Sequence, residues 1–329
     1  MSELHHFLFE NLPVRGVAVR LDDPWQEILA RRAGNSSMGA YPAPVAQLLG
    51  EMTAAALLMQ ANVKFNGALI LQIMGDGPVK LAVVEVQSDL SVRSTATVIG
   101  EVAENANLAD MVNMSNTGRC AITLDPKDRL PGQQAYQGIV PLFDDQGVPI
   151  TSFQQVIEHY MLQSEQLDTT MVLAANNQVV AGLMVQRLPV KGENNLEGSR
   201  YGQANEDEIG KNEEYNRIAH FAASLKQEEL LGLDIPTILH RLFWDDQLQE
   251  FEPYVGEKAP KFACSCSRER VSRMIKGLGR EDVESILAEQ NQVEVGCEFC
   301  GQQYRFDPID AATLFTSLVD SNDLPTTKQ

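Results

Sequence analysis

The sequence predicts an α+β protein in three parts. An N-terminal sheet-and-helix domain spans residues 1–187, a polar insertion with an amphipathic helical linker spans 188–253, and a small C-terminal α+β domain carrying paired cysteines spans 254–329. Three observations predict it. Apolar runs of strand length recur through the first 187 residues, with short turns between them and few helical stretches. Residues 188–216 are rich in Gly, Asn and Glu and poor in apolar side chains. Four of the five cysteines fall near the C-terminus as Cys264-Ser265-Cys266 and Cys297-Glu298-Phe299-Cys300.

The elements follow in order. Residues 17–21 alternate as a strand. Residues 44–59 are rich in Ala, Leu and Met with apolar side chains all round, which predicts a buried helix. Strand-like runs follow at 68–74, 79–86 and 92–99, with Gly75-Asp76-Gly77-Pro78 supplying turn chemistry between the first two. Further strands are predicted at 120–124, 136–142, 171–175 and 179–186. Thr151 is placed to cap a helix running to about Leu162, with Gln154 at the capping-box position. Residues 188–216 cannot bury enough apolar surface to offset their ordering entropy and read as a mobile linker or insertion.

Beyond it, Ile218, Phe221, Ala222 and Leu225 sit at helical spacing. After Gly232, Pro236 opens a second helix carrying Ile238, Leu239, Leu242 and Phe243. These two amphipathic helices need a partner surface. They either complete a domain core or form a docked segment that can detach. In the last part, residues 271–275 and 283–287 read as helices broken by Gly277 and Gly279. Residues 293–295 and 304–306 read as a hairpin whose turn holds Cys297 to Gly301, and Asp307-Pro308 starts a final helix.

The cysteine spacing is that of a metal site. Zn²⁺ takes four ligands tetrahedrally at about 2.3 Å from sulfur, so the sulfurs lie roughly 3.8 Å apart. In an extended segment residues i and i+2 point the same way, so Cys264 and Cys266 can share one ion. The Cys-x-x-Cys turn before Gly301 offers two more sulfurs and backbone N–H groups. Four thiolates leave no open position for water or substrate, which argues against a hydrolytic zinc centre. The surrounding unit has a thin apolar inventory, whereas structural zinc supplies on the order of 10–16 kcal/mol. Oxidising the thiolates would remove the ion and unfold the unit. An i/i+2 disulfide is strained and hence readily reduced again. Arg268, Arg270 and Arg273 either favour thiolate character or form a solvated helix face. The residues thus predict a reversible unfolding switch without saying what it controls.

Composition narrows the function classes. The formal net charge is −19, with no basic patch, which opposes binding to nucleic acid or to anionic membranes. No run reaches the ~18 apolar residues of a membrane span, and the start carries no basic region followed by an apolar run. A cytoplasmic protein is expected, where clustered cysteines serve metal or redox chemistry. Cys120, in an alternating strand, reads as a buried small hydrophobe. His5, His6, His159, His220 and His240 match no ligand spacing and read as surface or helix-face residues. Gly75-Asp76-Gly77-Pro78 lacks the Lys and Ser/Thr of a phosphate loop. No catalytic constellation stands out, so no enzyme is predicted.

Cys264-Ser265-Cys266-Ser267-Arg268-Glu269-Arg270, followed after about thirty residues by Cys297-Glu298-Phe299-Cys300-Gly301, resembles the family of the redox-regulated bacterial heat-shock chaperonin of thirty-three kilodaltons. The likeness extends to Leu8-Phe9-Glu10-Asn11 with Val14-Arg15-Gly16, to Gly75-Asp76-Gly77-Pro78, to residues 160–167 and to residues 282–287. The polar segment at 188–216 is longer than the family pattern needs. The resemblance implies an ATP-independent holdase that is monomeric and inactive when reduced and zinc-bound. Peroxide with heat, or hypochlorous acid, would join Cys264 to Cys266 and Cys297 to Cys300. Zinc would leave, the C-terminal part would unfold, and the linker would release apolar surface for unfolded client proteins, the active form being a homodimer. Ile218, Phe221, Leu225, Leu239, Leu242 and Phe243 would cover that surface in the reduced state. Two rival classes remain: a zinc-ribbon interaction module, and a thiol-disulfide oxidoreductase using Cys297 and Cys300.

Overall fold

The computed structural model describes residues 1–35, 39–129, 132–188 and 212–316. It divides into one compact unit ending at Ala263 and a second beginning at Cys264. The polar insertion predicted at 188–216 falls mostly outside the described residues.

The first unit is built on two sheets. Strands β1 (Glu3–Phe9), β2 (Val14–Leu21), β8 (Thr169–Ala175), β9 (Val180–Arg187) and β10 (Leu248–Glu250) form a five-stranded antiparallel sheet in the order β10-β1-β2-β9-β8. Strands β3 (Gly67–Met74), β4 (Val79–Gln87), β5 (Ser91–Val98), β6 (Arg119–Pro126), β7 (Tyr136–Pro141) and β11 (Lys261–Phe262) form the other, in the order β11-β5-β4-β3-β6-β7. Its pairs are antiparallel except β11 with β5.

Helix α2 (Ala43–Asn62) packs against strands of both sheets. Its all-round apolar sequence has this cause: Leu48, Leu49, Met52, Leu57 and Leu58 meet a sheet whichever way they face. Val17, Val19, Leu21, Met171, Leu173 and Met184 project to the α2 face of the five-stranded sheet, while Phe7, Phe9, Val14, Val172, Leu183 and Val185 project to the other. Both faces are therefore apolar, and every residue of β9 is buried. The face away from α2 is covered by α5 (Glu213–Ala223), α6 (Gln227–Gly232) and α7 (Ile235–Phe243), through Tyr215, Ile218, Leu230, Ile238, Leu239 and Phe243. Phe243 meets Phe9 edge-on with ring centroids 4.9 Å apart.

Polar contacts fasten the same helices. The Tyr215 and Thr170 hydroxyls are 3.0 Å apart. Arg20 of β2 donates to the Leu233 carbonyl at 3.3 Å, beyond the end of α6. Asp234 caps α7 by accepting from the Thr237 N–H at 2.8 Å.

The predicted α+β class is borne out, with element-level corrections. Strand β1 escapes sequence reading because His5-His6 interrupts its apolar pattern. His5 is in fact buried, 2.8 Å from the Glu3 carboxylate, which makes a polar residue tolerable there and overturns its surface assignment. Helices α1 (Asp23–Ala33) and α3 (Leu108–Val112) are additional. Thr151 does not cap α4 (Phe153–Gln163). Ser152 occupies the N-cap without a side-chain bond, and the Thr151 carbonyl accepts from Leu108 instead. The described residues of the linker hold three helices where two were expected, because Lys226 opens α6 through its N–H to the Glu229 carboxylate at 3.4 Å.

The second unit holds α8 (Arg268–Leu278), α9 (Arg280–Gln290), the hairpin β12 (Val293–Gly296) with β13 (Gln303–Phe306), and α10 (Pro308–Thr316). Gly277 lies inside α8, and only Gly279, at φ +98°, separates the two helices. Its buried apolar core among the described residues is Val271, Ile275, Val283, Val293, Phe306 and Ala311. The residues predicted beyond 316 lie outside the described part.

Candidate metal centre

The second unit brings its two cysteine pairs together. Cys264 and Cys266 lie in the extended stretch before α8, whose N-cap Ser267 accepts from the Arg270 N–H at 3.3 Å. Cys297 and Cys300 lie in the β12–β13 turn. That turn is closed by the Gly301 N–H to the Cys297 carbonyl at 2.8 Å and the Cys297 N–H to the Gln302 carbonyl at 2.9 Å. Gly301 sits at φ +73°, where a side chain would be strained.

The four sulfurs all lie within 4.8 Å of one another. Cys264 Sγ is 3.6 Å from Cys297 Sγ, and Cys266 Sγ is 3.3 Å from Cys300 Sγ. A tetrahedral ion with metal–sulfur bonds of about 2.3 Å needs sulfurs roughly 3.8 Å apart, so the donor set fits one zinc-like ion. Cys300 is buried and the other three are partly so.

Burial pushes the Cys297 thiol up, while the N–H groups of Cys300 and Phe299 pull it back. Burial and the neighbouring sulfurs push Cys300 higher. The Cys297 and Cys300 thiols thus resist ionisation on their own, so thiolate formation there is coupled to metal binding. Tyr304, in β13, donates its hydroxyl to Cys266 Sγ at 3.1 Å. Sequence reasoning placed Tyr304 in a strand but not at the site. Its position four residues past Cys300 in a tight hairpin is the available signal.

The arginines after the first pair divide by role. Arg268 donates to the Arg305 carbonyl at 2.9 Å and the Asp310 carboxylate at 2.7 Å, and its guanidinium lies 4.2 Å over the Phe306 ring. Those contacts tie α8 to β13 and α10. Arg270 donates to the Ser265 hydroxyl at 2.6 Å, between the paired cysteines.

Cys120 lies apart from the centre on β6. It is fully buried, and desolvation pushes its thiol up to about 12, so it is inert. Of the predicted linker residues, Ile218, Leu225, Leu239 and Phe243 are buried against the five-stranded sheet, and Leu242 packs at the margin of that cluster. Phe221 departs from the expectation. It is 37 % exposed, because Tyr215, Ile218, Ala222 and Leu225 already form the covered stripe, and the Arg217 guanidinium lies 5.7 Å over its outward ring. Among the described residues no helix is long and apolar enough to cross a membrane.

Known proteins resemble the chain over nearly its whole length. The family model described as Hsp33 protein matches residues 2–307. The 33 kDa chaperonin of Chromobacterium violaceum is 44 % identical over 314 residues, covering 95 % of this chain and 94 % of the relative. The 33 kDa chaperonin of Methylobacillus flagellatus is 40 % identical over 326 residues, 98 % of each. The solved 33 kDa chaperonin of Thermotoga maritima shares the fold, with a TM-score of 0.70 over 98 % of this chain and all of that one at 18 % identity. These relatives are chaperonins by name rather than enzymes. Matches of this extent and identity, on a chain whose paired cysteines fold into one four-sulfur cluster, establish that it belongs to the Hsp33 family of chaperones.

Proposed function

We propose that the protein is an ATP-independent holdase, switched on by oxidation of its four-cysteine centre, that keeps unfolding proteins from aggregating under oxidative and heat stress. The observation that carries this is the convergence of Cys264, Cys266, Cys297 and Cys300 within 4.8 Å, in a unit whose described residues form a small apolar core. The soft, closed donor set favours zinc. When bound, zinc supplies a four-way cross-link with no position for substrate.

In the reduced state the four thiolates hold the metal, the unit stays folded, and the chain is an inactive monomer. Oxidation joins Cys264 to Cys266 and Cys297 to Cys300. Each pair gives up two electrons and forms a sulfur–sulfur bond. Hydrogen peroxide takes the electrons and two protons and leaves as two waters; hypochlorous acid leaves as chloride and water. Disulfide sulfurs are poor ligands, so all four donors are withdrawn. A core of Val271, Ile275, Val283, Val293, Phe306 and Ala311 cannot hold the unit folded without the cross-link.

Loss of that unit frees the chain that follows α7 and loosens the linker. As Ile218, Leu225, Leu239, Leu242 and Phe243 lift, the sheet face of Phe7, Phe9, Val172 and Leu183 opens to unfolded clients and to a second copy of the chain. The working division is then a client-binding and dimerising part at 1–187, a linker at 188–253 and a switch at 254–329. With a net charge of −19, proteins rather than nucleic acids or membranes are the partners, and the cytoplasm, which keeps resting thiols reduced, is the compartment.

The test follows light scattering of a heat-denatured client with reduced and with oxidised protein, while zinc release is monitored with a chromogenic chelator. Suppression of aggregation should appear together with zinc release and reverse on reduction. Equal suppression by the two forms overturns the proposal.

A further inference from the structure

Residues 247–263 close one free edge on each sheet of the first unit. Strand β10 pairs antiparallel with β1 and so forms the edge of the five-stranded sheet. The pairing continues on either side: the Glu10 N–H donates to the Gln247 carbonyl at 2.9 Å and the Phe251 N–H to the His6 carbonyl at 3.0 Å. Leu4 and Tyr254 exchange bonds of 3.1 and 2.8 Å. A single turn at Gly256–Lys258 then leads to the other sheet. There β11 pairs with β5, the Lys261 and Ala263 N–H groups donating to Leu90 and Val92 at 3.2 Å each. Between these contacts lies a groove of about 930 Å³ whose lining includes Arg15, Val63, Phe65, Leu90 and Tyr254.

The attachment is mainly one of backbone to backbone. Gln249 and Glu250 are exposed, and Phe251, Tyr254 and Val255 are each 40–45 % exposed. Leu248, Ala259, Pro260 and Phe262 find cover, and the half-exposed Tyr254 ring lies 5.6 Å from that of His6. Main-chain pairing of this kind does not depend on the side chains of the paired segment, so a strand of another sequence can replace it. The segment also runs from the linker helices directly to Cys264, so both of its anchors are elements that oxidation releases.

We propose that the edges of β1 and β5, uncovered when residues 247–263 lift away, are where extended segments of unfolded client proteins dock by backbone hydrogen bonding, with the groove taking their apolar side chains. This rests on the holdase reading above and adds to it a mode of recognition suited to clients of unrelated sequence.

The test is hydrogen–deuterium exchange of the full-length protein, read at the amides of Leu4 and Glu10, which donate to the Tyr254 and Gln247 carbonyls. The client probe is reduced, carboxymethylated α-lactalbumin, a permanently unfolded chain. Both amides should be protected in the reduced protein, exchange at least tenfold faster after oxidation, and regain protection when the client binds. Client capture that leaves these amides fast overturns the edge proposal while leaving the holdase reading intact.

Phe251→Pro removes the N–H that bonds His6 without touching the cysteines. In the reduced, zinc-loaded state it should expose both amides and bind the client, whereas Phe251→Ala, which keeps the N–H, should not. Client binding by reduced Phe251→Pro together with inactivity of the oxidised parent would sink the redox reading and keep the edge. Exposed amides in Phe251→Pro without client binding overturn the edge proposal whatever the oxidised parent does.

Discussion

Tyr304 donates to a sulfur of the four-cysteine centre, and that bond is lost in Tyr304→Phe with the ring retained. Groups bonded to metal-ligand atoms typically carry 10–100-fold in affinity. Tyr304→Phe should therefore bind zinc about tenfold more weakly, as read by chelator competition, and release it sooner under peroxide. A second residue-scale prediction concerns two half-buried carboxyls of the first unit. Burial pushes Glu158 up to about 7 against the opposing pull of the Met171 N–H, and pushes Glu51 up to about 7 against a bond from Gln47. Their ordinary value is 4.5. Between pH 4.5 and 7 the folded chain therefore binds more protons at these sites than the unfolded chain. Their contribution is fully present below pH 4.5, is lost as pH rises through this window, and is flat above it. Glu158→Gln and Glu51→Gln should each become more stable relative to the parent as pH rises from 5 to 7.5, measured by urea midpoints. An unchanged difference across that range would show that these carboxyls keep ordinary values.

Helices α5 and α7 were legible as amphipathic segments from their 3.6-residue spacing, but the short α6 between them and the surface all three cover were not. Spacing shows that one face is apolar; it does not say which sheet accepts it. Leu239 and Phe221 carry the contrast. Both were assigned to one covered face, yet Leu239 is 2 % exposed and Phe221 is 37 % exposed. Leu239→Ala should cost about 2–5 kcal/mol of docking stability. Leu239→Asp, which places a charge inside the apolar cluster beneath the linker helices, should unseat them, raise protease cleavage within residues 212–247 and give client binding without oxidation. Phe221→Ser should stay within about 0.5 kcal/mol of the parent. The edge strands were the least legible elements. β1 hides behind two histidines, and β10 and β11 are three and two residues long, too short for any period to register.

At the scale of the whole molecule the two units rest on different forces. The first encloses α2 between two sheets, with Trp25, Leu49, Met52 and Leu57 fully buried. Among its described residues the second has Ile275 and Phe306 as its most enclosed large side chains, and the proposed switch has it lean on the four-sulfur centre. Chelation at neutral pH should remove the helical signal of α8–α10 and the cooperative unfolding of the second unit, while the main calorimetric transition of the first unit persists. A single transition that shifts as a whole would show that the units fold as one.

The sequence by itself determined the donor set of the candidate metal centre. Four cysteines in two close pairs can satisfy a tetrahedral soft metal wherever the chain places them, because pair spacing is a local property. It also determined that residues 44–59 are buried on every side and that the linker helices carry a stripe needing cover. Only the tertiary structure decided what provides that cover: the outer face of the five-stranded sheet, with Phe7 and Phe9 against Phe243 and with Leu183 and Leu239 in the same apolar cluster. It alone also showed that residues 247–263 close the β1 and β5 edges. The pairing of Phe7 with Glu250, or of Val92 with Phe262, joins positions more than 160 residues apart. Strand partners so distant are selected by how the whole core closes, which no local spacing records.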